Sequence, residues 1–111
     1  MATFLIGSEI NINRQEGDTA DIVFTMPTIL DLSLFAEVKF QVKNATKSVF
    51  TKSLTDNTIT VNGQTITIPL LVADTTNKAG THRWELEISN DTPEVITIAK
   101  GNFTIIKQII V

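Results

Sequence analysis

The 111-residue chain has no cysteine and no tyrosine, and it has a single histidine, His82. Without cysteine it has no disulfide framework, no zinc–thiolate centre and no cysteine nucleophile. A general base also needs an oriented neighbour within hydrogen-bond reach, and the sequence identifies none for His82. We therefore predict no catalytic residues, no metal site and no cofactor, and we expect a protein that is not an enzyme.

Charge is scarce as well, at 19% of residues, and nine Lys and Arg against twelve Asp and Glu give a net charge of −3. The basic residues are scattered, so they form no stripe that would bind nucleic acid. No apolar run approaches the roughly 20 residues of a membrane span. Residues 1–6 lack the basic start of a signal peptide. We expect neither a nucleic acid nor a membrane as partner.

The sequence is rich in β-branched residues. Ile (15), Val (8) and Thr (17) together make 40 of the 111 residues. Such side chains are stiff at χ1 and fit a pleated sheet better than a helix. Prolines and glycines total only eight, and no linker interrupts the pattern. The composition predicts one all-β domain over residues 1–111.

Alternation of apolar and polar residues marks the strands. It is clearest at residues 20–26, 36–43 and 81–89, each with one apolar face. Asn62-Gly63 predicts a type I′ hairpin turn, Lys100-Gly101 a second hairpin, and residues 70–78 a helical turn or irregular crossover. About eight strands with short connections predict an antiparallel, immunoglobulin-like β-sandwich, with a small partly open barrel as the alternative.

Three polar or aromatic features have simple structural interpretations. His82 is interpreted as a partly exposed strand residue. Glu85 and Glu87 share one strand face, as a pair of glycosidase carboxylates would, but Arg83 shares that face and favours a solvated surface. Trp84 is expected at the centre of the core.

The two ends of the chain are unusually apolar. Residues 105–111 (IIKQIIV) are apolar on both faces of a strand, and residues 4–6 (FLI) repeat this more weakly. A bare strand of this kind promotes aggregation, so it is covered either inside the domain or by another chain. The second alternative gives a candidate interface made of Phe4, Ile6, Ile106, Ile110 and Val111.

Four segments together resemble a known family. Residues 80–88 (GTHRWELEI), a turn at 90–91, residues 95–98 (VITI) and residues 101–105 (GNFTI) follow one another as in the immunoglobulin-like modules of tailed-bacteriophage structural proteins. They resemble the N-terminal domain of the upper baseplate protein family and related tail or fibre proteins. Residues 13–19 (NRQEGDT) and 38–43 (VKFQVK) are similar to the family's first core strand entry and a later strand. The family's modules usually continue into a further domain, whereas this sequence stops after residue 111.

The resemblance implies a structural protein of the virion and offers no catalytic residues. We expect an assembly protein of a phage tail, baseplate or fibre, assembled in the bacterial host cytoplasm. Its partners would be other virion proteins, and because virion parts are symmetric we expect a homo-oligomer. The alternative is a β-sandwich that binds a carbohydrate or another feature of the host surface. The scarcity of aromatic residues counts against this alternative.

Overall fold

The computed structural model describes residues 9–26, 35–45, 47–89 and 95–107 in full, and residues 2, 3 and 8 as backbone alone. In this part of the chain a short helix, α1 (Val72–Thr75), accompanies the strands. The strands are β1 (Ala2–Thr3), β2 (Ser8–Glu9), β3 (Ile12–Gln15), β4 (Ile22–Thr25), β5 (Glu37–Asn44), β6 (Lys47–Ser53), β7 (Thr60–Asn62), β8 (Thr65–Ile68), β9 (Gly80–Ser89) and β10 (Val95–Ile106).

The strands form two sheets that enclose one apolar core. The smaller sheet has the order β1-β4-β8-β7, and the larger has the order β2-β10-β9-β5-β6. Strand β3 continues β2 along the same side of β10. The chain changes sheets between β1 and β2, between β3 and β4, between β4 and β5, between β6 and β7, and between β8 and β9. This is the strand order of an immunoglobulin-like sandwich, so the predicted fold class is confirmed.

The N-terminal strands depart from the antiparallel expectation. β1 pairs in parallel with β4, and β2 and β3 pair in parallel with β10. The hairpin partners β5–β6, β7–β8 and β9–β10 are antiparallel, as predicted. Residue alternation carries no information about strand direction. Parallel neighbours need a long connection, and the chain from β3 to β10 supplies one.

Three aromatic rings join the two sheets at the centre of the core. Phe24 on β4 stacks on Trp84 on β9 with ring centroids 5.3 Å apart, and Phe40 on β5 lies 5.5 Å from Trp84. Trp84 and Phe40 are completely buried, which confirms the prediction for Trp84. In antibody domains a disulfide joins the strands that correspond to β4 and β9. Here stacked rings occupy that place, and each such pair adds about 1 kcal/mol beyond its buried area.

Gly101 shows that the predicted hairpin at Lys100-Gly101 is wrong. β10 runs unbroken through this position, with one irregularity between Thr97 and Ala99. A Cβ at Gly101 would overlap the carbonyl oxygen of Ile10. That carbonyl accepts a hydrogen bond from Trp84 Nε1 at 2.9 Å. The glycine is therefore needed because the backbone at residue 10 passes through the space where a side chain would be.

The hairpin between β7 and β8 lies one residue beyond the predicted position. Asn62 pairs with Thr65, so the two turn residues are Gly63 and Gln64 rather than Asn62 and Gly63. Gly63 has φ +61°, and neither Asn62 nor Gln64 has a positive φ. A glycine at the first turn position is typical of a type II′ turn, and the predicted type I′ turn is wrong.

His82 is buried, which corrects the partly exposed strand residue expected above. Its side chain contacts Asn44 Nδ2 through Nδ1 at 3.1 Å and the Lys78 carbonyl oxygen through Nε2 at 2.8 Å. A carbonyl only accepts, so Nε2 carries the proton and Nδ1 accepts from the amide. In immunoglobulin domains a tyrosine near the start of this strand bonds to the backbone just upstream. His82 has that role here, two residues before Trp84.

Replacing Gly101 by alanine tests the passage of the Ile10 backbone. We expect Gly101→Ala to lower the free energy of unfolding by about 3 kcal/mol, because the methyl group displaces the carbonyl and leaves the indole N–H without its acceptor. Chemical denaturation measures the change. Gly63→Ala is the control, since its Cβ meets nothing within 4 Å. It should cost only about 1 kcal/mol for the positive φ. Equal losses in both variants would contradict the interpretation.

A substitution at Ala45, in the β5–β6 turn, is expected to stabilise the protein. Ala45 has a φ of 54°, which is unfavourable for a residue with a Cβ. We expect Ala45→Gly to raise the free energy of unfolding by about 0.5 kcal/mol, after allowance for the larger entropy of glycine in the unfolded chain. The exposed Ala79 lacks a positive φ, so Ala79→Gly should lower stability. Thermal unfolding of the two variants compares them directly.

Candidate interaction surface

Ile106 is the one predicted interface residue that the structure describes in full. It lies at the end of β10 with 48% of its surface exposed, while the preceding Ile105 is 2% exposed in the core. The two apolar faces predicted for this stretch therefore differ at its start, with one covered by the domain itself. Phe4, Ile6, Ile110 and Val111 lie outside the described residues.

The described neighbours of the two apolar ends are far apart. Ser8, which follows residues 4–7, pairs with Ala99 on β10. Lys107, which precedes residues 108–111, follows Ile106 seven residues further along the same strand. At about 3.3 Å per residue this separation is about 23 Å. The described neighbours of the two ends thus lie apart along β10, and the expectation that the termini form or touch a subunit interface stays a prediction.

Both edges of the larger sheet are obstructed. On β6 the side chain of Lys52 points inward and is 5% exposed. Thr58 occupies the backbone N–H and carbonyl of Ser53, and Lys78 Nζ donates to the Val49 carbonyl at 3.0 Å. Inward charges on edge strands are a known obstacle to further strand pairing. The edge at β6 is thus closed over much of its length.

At the opposite edge of the sheet, two carbonyl groups of β3 already accept hydrogen bonds. Arg14 Nη1 donates to the Asn13 carbonyl at 2.9 Å, and Asp18 N–H donates to the Gln15 carbonyl at 3.1 Å. These carbonyls would otherwise accept from an added strand. Addition of a strand at either edge of this sheet would have to displace existing hydrogen bonds.

A buried ion pair attaches α1 to β6. Lys52 Nζ lies 2.7 Å from Asp74 Oδ2, with the two side chains 6% and 13% exposed. The same carboxylate oxygen accepts from the Leu71 N–H at 2.7 Å, so it also begins the helix. This pair was not among the residues predicted from the sequence. Its only sequence signal is a lysine in register with the apolar residue Phe50 on β6.

The solvent-facing side chains of the larger sheet, which we call the outer face, carry eight of the eighteen charged side chains among the described residues. Their burial alternates with that of the core residues along β5 and β9. This alternation confirms that Glu85 and Glu87 share an outward face. Glu87 accepts from Gln41 Nε2 at 3.1 Å, and Arg83 Nη1 donates to Glu9 and Asn102. The face carries equal numbers of acidic and basic residues: Glu9, Glu37, Glu85, Glu87, Lys39, Lys43, Arg83 and Lys100.

Large apolar side chains occur at both ends of this outer face. Val95, at the start of β10, is 61% exposed and shares a depression with Glu37, Lys39 and Glu87. Ile106, at the other end of β10, is 48% exposed. Between them a second depression of about 230 Å³ is lined by Gln41, Lys43, Ala45, Arg83 and Glu85. The outer face thus combines exposed apolar ends with a charged centre.

Among the described residues the structure offers no metal centre, since no group of three or more His, Asp or Glu side chains converges. Both ring nitrogens of His82 already have partners, so neither is available as a base. In the same part of the chain, no helix is long and apolar enough to cross a membrane. The described aromatic side chains are buried or half-buried, so they provide no exposed stacking platform.

No protein-family model and no curated protein matches the chain. Among solved structures it is similar to fibronectin(III)-like modules of CbhA from Clostridium thermocellum, with a TM-score of 0.48 and 11% identity over 93% of this chain and 94% of that one. CD84 gives a TM-score of 0.42 and 14% identity over 91% and 100% of the two chains. Extracellular domains 3–5 of Drosophila OTK give 0.37 and 16% over 94% and 35%. The immunoglobulin-like fold of this chain is established by its strand order.

The buried ion pair generates a stability prediction. Lys52→Met leaves Asp74 without its cation in a largely buried position, and we expect it to cost about 3 kcal/mol. Adding Asp74→Asn removes the unpaired charge and keeps an oxygen that can accept from Leu71 N–H. The double variant should therefore be more stable than Lys52→Met alone. Urea denaturation measures both, and a double variant less stable than the single one would contradict the pairing.

Proposed function

We propose that this chain is a non-catalytic structural module that assembles through protein–protein contacts in the virion of a tailed bacteriophage. The setting, a tail, baseplate or fibre, comes from the resemblance of residues 80–105 and the two upstream segments to phage immunoglobulin-like modules. Its partners are other virion proteins and further copies of itself. Assembly takes place in the bacterial host cytoplasm.

The observation that carries the assembly function is the exposure of Ile106. A large aliphatic side chain is half-exposed at the end of an ordered strand, just before residues 107–111 (KQIIV), which end in three consecutive apolar residues. Single exposed apolar residues are common, but a cluster continuing along the chain is typical of a contact surface. The exposure of Ile106 supports the interface that the sequence predicted at this end of the chain.

The obstructed edges of the larger sheet favour contact through a face or an end of the sandwich. Addition of a strand at a sheet edge, another mode of contact available to a β-sandwich, needs free backbone groups at that edge. Arg14 on one side and Thr58 with Lys78 on the other occupy backbone groups that an added strand needs. Assembly through side chains leaves these hydrogen bonds intact.

A carbohydrate-binding module is the alternative function, and no feature of the described surface specifically favours it. Sugar sites commonly place an aromatic ring against the apolar face of the sugar. The described aromatic residues of this chain pack in or against the core instead. Glycan binding is therefore treated as an outcome of the test.

The test measures molar mass by light scattering coupled to size-exclusion chromatography over a concentration series. We expect the wild-type protein to form a discrete oligomer and Ile106→Thr to weaken it, because the substitution removes apolar surface at the contact. Val72→Thr is the matched control, since Val72 is 56% exposed but lies on α1. A monomer at every concentration, together with binding on a glycan array, would contradict the assembly function and favour the alternative.

A further inference from the structure

The outward residues of β9 place charges of opposite sign at adjacent levels of the sheet. From one end they run Ser89, Glu87, Glu85, Arg83 and Thr81. On β5 the levels of Glu85 and Arg83 carry Gln41 and Lys43. The half of these two strands that ends at Ser89 is therefore the more acidic half, and the level of Arg83 and Lys43 is basic. The charge of the outer face therefore changes from acidic to basic along the strands.

This change of charge makes the outer face self-complementary under one two-fold operation. The axis lies midway between the two facing sheets, parallel to both, crosses the strands, and passes between the levels of Glu85 and Arg83. It brings Glu85 of one copy over Arg83 of a second copy, and Arg83 over Glu85. On β5 it brings Gln41 over Lys43. In this arrangement no described charge on these strands faces a like charge.

The same operation brings the exposed apolar residues of β10 together. Val95 lies at the level of Ser89, two levels beyond Glu85, and Ile106 lies two levels beyond Asn102, which pairs with Arg83. The operation therefore places Val95 of one copy over Ile106 of the second, and the reverse at the other end. Between them Thr97 meets Thr104, and Lys100 meets Asn102. A two-fold axis that runs along β9, parallel to the strands, would instead stack Glu85 on Glu85 and Arg83 on Arg83.

We propose that two copies of this chain form an antiparallel dimer through the outer faces of their larger sheets, with Glu85–Arg83 contacts at the centre and Val95–Ile106 contacts at both ends. The inference rests on the proposed assembly function and names its partner. Five strands at about 4.8 Å spacing, over the length of β9, give a face of roughly 700 Å² per copy. Specific interfaces bury about 800 Å² per partner, so the area suits a weak, reversible dimer.

Charge reversal tests the central contact. Arg83→Glu places glutamates opposite each other, and we expect it to weaken the dimer at least about tenfold in the concentration series described above. The double variant Arg83→Glu with Glu85→Arg restores an opposite-charge pair under the two-fold axis and should restore the dimer. Lys47→Glu makes the same charge change outside the contact, since Lys47 pairs with Asn44 on the side of His82. It should leave the dimer unchanged.

Cysteine cross-linking provides a second readout in a chain that has no cysteine. With Val95→Cys and Ile106→Cys in one chain, oxidation should yield covalent dimers, while Thr60→Cys on the smaller sheet should yield none. Circular dichroism verifies that each variant is folded. A dimer that survives Arg83→Glu but is lost in Ile106→Thr would overturn this contact and leave the proposed function standing. A monomer up to millimolar concentration would overturn the dimer.

Discussion

The hydrogen bond from the Trp84 indole to the Ile10 carbonyl determines how the N-terminal strand sits on the domain. Trp84 is completely buried, and an indole N–H without an acceptor in that position would cost about 1–3 kcal/mol. The acceptor lies in the connection between β2 and β3, on the far side of β10, so the hydrogen bond has to pass β10 at a residue without a side chain. Gly101 provides that opening. One glycine, one indole and one backbone carbonyl thus fix the register of the segment 8–15 against β10.

The sequence predicted the elements whose pattern is local. Strands β4, β5 and β9 alternate clearly between apolar and polar residues, and the structure places their apolar sides in the core. The predictions failed at residues whose role depends on a contact with a residue elsewhere in the chain. Gly101 looks like a turn residue because nothing nearby indicates that Ile10 approaches it. His82 looks exposed because its partners, Asn44 and the Lys78 carbonyl, meet it only after the sheets have formed.

The candidate surface was predictable in part, for a similar reason. Ile106 belongs to an apolar run in the sequence. Its exposure follows once it is known which side of β10 faces the core. The arrangement of charges on the outer face could not be predicted from the sequence, because it depends on how β5 and β9 pair, and Glu85 and Lys43 lie on these different strands. The Lys52–Asp74 pair could not be predicted either. A lysine on an edge strand is expected to be exposed, and its burial depends on α1, whose position the sequence does not indicate.

The position of Trp84 also has a spectroscopic consequence. It is the only tryptophan of the chain, so all indole fluorescence comes from one site, where the ring stacks on Phe24 and its N–H is bonded to Ile10. Detachment of the N-terminal strand would expose that N–H to water without unfolding the two sheets. The tryptophan fluorescence therefore reports whether residues 8–15 are packed against β10. Circular dichroism, in contrast, follows the β-structure as a whole.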